Sequence, residues 1–320
     1  MKIKNFSKKY LLYLSILAFV LAASLALAVS GYNKKPLIVQ LLDPLIEMPK
    51  FSLFKKYENL PRNPVLRVTS NTFPQISARG ALALDLDSMT PLFEKNPTMP
   101  LLPASTTKIV TALVAMDYYT DDMILTVDGL KVPGQNMGLI SGEKISVKNL
   151  LDGLLIYSGN DAAETLTANY PGGRDAFINA MNEKVKEYNL ENSHFENPTG
   201  FDNGAHFSTA KDLIRIAIEA MKNPRFSGIV AQKEKYVASS DGNVIHKLVN
   251  TNELLGSVPG VLGVKTGYTQ NARENLVTYL ERDGHKIMIT VLGSQDRFGE
   301  TKEVIAWIFA NYEWKAVSPN

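Results

Sequence analysis

The longest apolar stretch of the chain is residues 11–30, "LLYLSILAFVLAASLALAVS", twenty positions without a charge behind Lys2, Lys4, Lys8 and Lys9. As a helix rising ~1.5 Å per residue, it spans a bilayer core of about 30 Å. The basic flank keeps that end cytoplasmic and sends the rest of the chain across. Ala26-Leu27-Ala28 offers a small-x-small cleavage site, so residues 1–30 are expected to be a secretory signal peptide or an uncleaved N-terminal membrane anchor. From 31 to 67, prolines at 36, 44, 49, 61 and 64 interrupt scattered apolar residues with no sustained period. That stretch reads as a semi-extended connector.

Regular patterning begins after it and predicts one domain over 68–315. "ARGALALDLDS" alternates apolar with polar or small positions and ends in a turn at Asp87-Ser88, as a strand entering a hairpin does. Residues 104–118 are apolar almost all round and predict a buried helix. Ser146 stands as N-cap before "VKNLLDGLLIY", an apolar-faced helix ending at "SGN". Helical spacing recurs at 161–169, 174–188 and 208–222, separated by "PGG" and "NPTGFDNG". The final third alternates instead. "EKYVASSDGNVIHKLV" reads as a hairpin around Asp241-Gly242, and "GVLGVKTG", "ENLVTYLE" and "KIMITVLG" read as strands, the last two joined by Asp283-Gly284. A helix from about 298 to 312 comes last. Strand, helices, meander and terminal helix fit an α/β sandwich: a mainly antiparallel sheet flanked by helices, with a helical insert.

Composition narrows the chemistry by exclusion. The net charge of +2 comes from the N-terminal lysines; without those four, 30 basic residues face 32 acidic ones. No basic patch points to nucleic acid. The chain has no cysteine, which rules out disulfides, thiol catalysis and cysteine-ligated zinc. Its histidines, His194, His206, His246 and His285, form no His-x-x-x-His pair, and no Gly-x-Ser-x-Gly string occurs. Neither a metal nor another cofactor is expected.

Ser-x-x-Lys, by contrast, occurs four times, at Ser52/Lys55, Ser105/Lys108, Ser141/Lys144 and Ser208/Lys211. Ser52 lies in the proline-rich connector, Ser141 precedes Gly142 in a turn, and Ser208 reads as the N-cap of a helix with Lys211 on a solvated face. Lys108 differs, because Ile109, Val110, Ala112, Leu113, Val114, Ala115 and Met116 leave its helix almost no polar face. A lysine taken inside is pushed toward its neutral form, which a base for a serine nucleophile requires. Ser105, at the helix start, also has free backbone N–H groups nearby to hold an oxyanion. Two further strings come after it in order, Ser158-Gly159-Asn160 after a helix and Lys265-Thr266-Gly267 at a strand end.

Those three strings together resemble the low-molecular-mass penicillin-binding proteins, the serine D-alanyl-D-alanine carboxypeptidases. The similarity runs from about residue 74 to 312 and includes "PASTTKIVTALVA", "LLIYSGNDAAETLTA", "FENPTGFDNGAHFSTAKDL" and "GVKTGYT". It implies a transpeptidase-like fold with a helical subdomain. By that resemblance Ser105 is the acylated nucleophile and Lys108 its general base, with Ser158 and Asn160 relaying the proton and gripping the substrate amide. Lys265, Thr266 and Arg297 meet the terminal carboxylate, Gly267 lets the strand run close to the substrate, and the oxyanion hole uses the N–H groups of Ser105 and Tyr268. The implied partners are peptidoglycan stem peptides ending in D-Ala-D-Ala and β-lactam antibiotics, outside the cytoplasm. Two departures stand out. "QNARENLV" stands where family members usually show an Ala-Gly pair, and many relatives continue into a β-rich domain and an amphipathic anchor, which leaves membrane attachment to residues 11–30. The alternatives are a serine β-lactamase, disfavoured by Ser-Gly-Asn in place of Ser-Asp-Asn and by the missing loop glutamate, and a DD-endopeptidase, which shares every motif.

Overall fold

Strand β1 (Arg62–Leu66) pairs antiparallel with the last strand, β11 (Tyr312–Ala316), in register from Arg62 opposite Ala316 to Leu66 opposite Tyr312. The end of the stretch read as connector is therefore a strand. The computed structural model describes residues 62–67, 73–129 and 132–316; the 11–30 segment lies outside them. Among the described residues, no helix is long and apolar enough to cross a membrane.

The alternation at 78–88 becomes β2 (Gly80–Asp85), which turns back as β3 (Pro91–Lys95). Ser88 donates from its N–H and its hydroxyl to the Asp85 carboxylate and so closes the turn. After the helical region come β8 (Val261–Thr269), β9 (Arg273–Arg282) and β10 (His285–Ser294), and the five strands form one antiparallel sheet in the order β3-β2-β10-β9-β8. Asp283 and Gly284 both take positive φ, 53° and 77°, as the two-residue turn between β9 and β10 demands. The pleat sorts side chains onto two faces. Ala81, Ala83, Leu276, Ile287, Ile289 and Val291 face the terminal helix (Arg297–Asn311) through Val304, Ile305 and Ile308. Leu82, Leu84, Val277, Met288 and Leu292 face the remaining helices.

Those helices occupy the chain between β3 and β8. They are α1 (Lys108–Tyr118), α2 (Val147–Leu155), α3 (Asn160–Ala168), α4 (Gly173–Glu187), α5 (Ala210–Lys222) and α6 (Pro224–Val230), so the terminal helix is α7. Two short strand pairs accompany them, β4 (Ile124–Thr126) with β5 (Lys144–Ser146) and β6 (Glu234–Ala238) with β7 (Ile245–Val249). Ser146 caps α2 as expected, its Oγ accepting from Asn149 N at 3.3 Å. The cap of α5 is one residue later than expected: Thr209 Oγ1 accepts from Asp212 N at 3.0 Å, while Ser208 is buried and bonded to Ser193. Helix α6 had no counterpart in the sequence pattern, since seven residues give no period. Its start is legible in retrospect, with Asn223 as cap and Pro224 at the first helical position. Helix α1 has eight buried residues and runs through the centre of this layer, as its apolar surface required.

Candidate active site

A short 3-10 turn, Ala104–Thr107, leads into α1 and carries Ser105 on it, with Lys108 as the first α-helical residue. Ala104 is held at φ 49°, and Thr106 returns two hydrogen bonds to the Pro103 carbonyl, from N at 3.2 Å and Oγ1 at 2.7 Å. Two glycines let neighbouring chain close on this turn. A Cβ on Gly200 (φ +89) would lie 1.9 Å from the Ala104 carbonyl oxygen, and one on Gly267 would lie 2.9 Å from Pro103 O and 3.0 Å from Ser105 N. The close approach assigned to Gly267 thus serves the serine turn itself.

Lys108 is fully buried and its Nζ meets three oxygens: Ser105 Oγ at 2.9 Å, Asn160 Oδ1 at 2.7 Å and the Thr199 carbonyl at 2.8 Å. Burial lowers its pKa to about 7, against the opposing pull of Asp161 and Glu164. An ordinary lysine would be neutral in about one molecule in a thousand near pH 7.4; this one is neutral in a large fraction. In the neutral form, two N–H bonds go to Asn160 and Thr199, which points the lone pair at Ser105.

Asn160 opens α3 and is fixed from two sides, Nδ2 to Pro133 O at 2.8 Å and N to Gln135 O at 2.7 Å. Ser158 lies in the turn before it at φ 66°, a left-handed value rare for serine, and its Oγ accepts from Lys265 Nζ at 2.9 Å. Lys265 is buried in β8. Its pKa falls well below the usual lysine value, first by burial and then by the charges of Lys108 and Arg297.

Thr266 exchanges a hydrogen bond with Thr251 at 2.6 Å, and Arg297 Nη1 donates to the Gly267 carbonyl at 3.1 Å from the start of α7. Arg297 N is held by Glu274 Oε2 at 2.9 Å, and its Nε has no hydrogen-bond partner among the described residues. Burial lowers the guanidinium pKa, opposed by Glu274 and Glu253. Tyr268, 63% exposed, continues the strand at the rim. These groups line a cleft of about 260 Å³ that contains Ser105, Ser158, Asn160, Thr266, Gly267 and Arg297.

All the expected site residues therefore converge, and of the other Ser-x-x-Lys pairs the two that are described, Ser141/Lys144 and Ser208/Lys211, stay away. Ser141 is in a turn, Ser208 bonds Ser193, and Ser52 lies outside the described residues. The sequence reading missed Thr199, whose contribution is a backbone carbonyl with no side-chain signature, and Thr251. It also missed Asp202, which accepts from Thr269 Oγ1 at 2.8 Å and ties the Thr199 loop to the end of β8. The departure at "QNARENLV" has a local form: Arg273, opposite Thr269, follows a three-residue loop at φ 61°, a left-handed value that glycine adopts more readily.

Comparison with known proteins matches this geometry. A family model described as Peptidase_S11, D-alanyl-D-alanine carboxypeptidase, covers residues 67–296. The D-alanyl-D-alanine carboxypeptidase DacF of Bacillus subtilis is 32% identical over 246 residues, which is 74% of this chain and 63% of DacF. DacB2 of Mycobacterium tuberculosis, with the same description, is 34% identical over 247 residues, 74% of this chain and 84% of its own. The crystal structure of the Streptomyces K15 DD-transpeptidase superposes with a TM-score of 0.70 at 33% identity, over 75% of this chain and 100% of that one. The fold is the transpeptidase-like sandwich.

Proposed function

The chain belongs to the D-alanyl-D-alanine carboxypeptidase family, and from that premise we propose that it removes the terminal D-Ala of peptidoglycan stem peptides through an acyl-enzyme on Ser105. The observation that carries the assignment is the fully buried Lys108, its Nζ 2.9 Å from Ser105 Oγ and its pKa lowered to about 7. Neutral Lys108 takes the hydroxyl proton as Oγ attacks the penultimate D-Ala carbonyl carbon. The oxyanion is received between the N–H groups of Ser105 and Tyr268. The proton taken by Lys108 reaches the leaving D-Ala nitrogen through the hydroxyl of Ser158, which is in contact with Lys265 and ends the step protonated as it began, and Asn160 holds the substrate amide. Water then cleaves the ester and frees Ser105. Lys265, Thr266 and Arg297 receive the terminal carboxylate, whose desolvation needs fixed charged and hydrogen-bonding partners.

Penicillin treatment followed by peptide mapping tests the nucleophile. An adduct on the Ser105 peptide, lost in Ser105→Ala, is expected; labelling elsewhere defeats the assignment. Mass spectrometry of digested muropeptides tests the reaction. Loss of one alanine from the stem peptide supports a carboxypeptidase, cleavage of cross-links identifies an endopeptidase, and rapid turnover of the antibiotic identifies a β-lactamase. The uncharged 11–30 run behind its lysines supports an extracytoplasmic location, reached by signal cleavage after Ala28 or by an N-terminal anchor. Sequencing the mature N-terminus in membrane and soluble fractions separates the two; a full-length cytoplasmic product contradicts both.

A further inference from the structure

His206 is 1% exposed and both of its ring nitrogens are engaged. Nδ1 faces two donors, Glu196 N at 3.0 Å and Asn197 Nδ2 at 3.3 Å, so it bears the lone pair. The ring proton is therefore on Nε2, which donates to Thr107 Oγ1 at 2.8 Å. Thr107 is the residue immediately before Lys108, on the turn that carries Ser105. On the other side of the ring, Asn197 organises the next loop. Its Oδ1 accepts from Thr199 Oγ1 at 2.9 Å, Gly200 N at 2.7 Å and Phe201 N at 3.0 Å, and its Nδ2 also donates to Phe201 O at 2.9 Å.

We propose that His206 is a positioning residue for acylation, a strut that fixes the distance between the Ser105–Lys108 turn and the Asn197-folded loop presenting the Thr199 carbonyl. The inference rests on the reading of Ser105 as nucleophile and Lys108 as base. A neutral amine has one lone pair and free rotation about its last carbon–nitrogen bond, so its aim depends on where its two protons are held. Asn160 Oδ1 holds one and Thr199 O the other. Asn160 is fixed by its own helix and by Pro133 and Gln135. The Thr199 carbonyl belongs to a loop, and the imidazole is a side-chain link from that loop to the helix start. A drift of the carbonyl lets the lone pair turn away from Ser105, and small misplacements of reacting groups lower rates steeply. The tautomer is stable in use: burial, helped by His194, lowers the His206 pKa to about 4.

Removing a buried imidazole opens a cavity, so the test acts on the other end of the strut. In the full chain, Thr107→Val deletes the acceptor of the Nε2 proton at nearly constant volume, and Thr107→Ser keeps it. Acylation by a reporter β-lactam is followed by stopped flow, which separates the Kd of the first complex from the acylation rate constant, and Tm is measured alongside. Thr107→Val is expected to lower the rate constant about tenfold, the scale of one buried hydrogen bond, with Kd within about twofold. Thr107→Ser is expected to stay within about twofold of the parent. A parental rate constant in Thr107→Val, whatever its Tm, overturns the strut, as do equal losses in both variants. Adduct mapping on the parent keeps the two readings distinguishable: no adduct on Ser105 there defeats the nucleophile and the strut together, whereas an adduct formed at parental rate in Thr107→Val defeats the strut alone.

Discussion

Lys265 Nζ donates to Ser158 Oγ at 2.9 Å across 107 residues of sequence, and both groups are buried. With Lys108 and Arg297 also acting on it, Lys265 gives up its proton far more readily than an exposed lysine. A substrate carboxylate arriving there reverses that balance, because a paired anion favours the charged form. Binding of an acyl-D-Ala-D-Ala peptide to Ser105→Ala is therefore expected to take up a proton, and affinity to fall as pH rises. Calorimetry in buffers of different ionisation enthalpy measures the uptake. No uptake, or the same uptake in Lys265→Met, contradicts the assignment of the carboxylate to Lys265.

The base sets a second pH dependence with its own sign. Lys108 must be neutral to accept the Ser105 proton, so acylation slows as pH drops through about 7 and levels off above it. The second-order rate constant of β-lactam acylation between pH 5 and 9 reports the limb directly. A rate that does not change between pH 5 and 9 would mean that the amine is not the base, and one still rising at pH 9 with no midpoint near 7 would mean that burial does not lower its pKa.

Arg297 has two duties, and substrates can separate them. Its Nη1 supports the Gly267 carbonyl at 3.1 Å, and its Nε, without a hydrogen-bond partner among the described residues, is left for the carboxylate that the proposed function brings to this cleft. Loss of one charged hydrogen bond in a desolvated site costs about 1.5–3 kcal/mol, or roughly 10- to 150-fold. Arg297→Ala is expected to lower kcat/KM by that order on peptides ending in a free carboxylate and to spare amidated ones. Equal losses on both would assign Arg297 to holding β8.

A stability prediction comes from the β8–β9 turn. Arg273 occupies the left-handed region at φ 61°, where an L side chain is strained by about 1–2 kcal/mol. Glycine removes that strain and gives back part of it through greater freedom of the unfolded chain. Arg273→Gly is expected to stabilise the fold by about 0.5–1 kcal/mol, read as a raised Tm in thermal denaturation. A lowered Tm would show that the Arg273 side chain makes up for its backbone.

Much of the site was legible because its chemistry is carried by side chains in ordered strings. The apolar surroundings of Lys108 announced its burial, Ser158 and Asn160 fell into the same cleft, and the strand-end Lys265 lies buried against Ser158. What stayed hidden belongs to the backbone or to distance. Thr199 acts through its carbonyl, which every residue possesses. Gly200 is needed because Ala104, about a hundred positions earlier, packs where its Cβ would be. Ser208 and Thr209 are both good caps, and only the register of α5 chooses between them. The pairing of Arg62–Leu66 with Tyr312–Ala316 joins opposite ends of the domain, and neither segment signals the other.

That ladder also decides how the domain meets a mechanical load. Arg62 lies opposite Ala316, so the start of β1 and the end of β11 are neighbouring points. A pull between those points opens the ladder as a zipper, one residue pair after another, rather than shearing all five together. A two-stranded pair has little stability of its own, but this one is tied to the sheet: Trp314 Nε1 donates to Asp85 at 2.9 Å, the Tyr312 hydroxyl donates to the Leu92 carbonyl at 3.0 Å, and His285 stacks on Trp314. A load between Arg62 and Ala316 would therefore have to part these ties as well as the ladder before it disturbed the sheet edge that holds Lys265 beside Ser158.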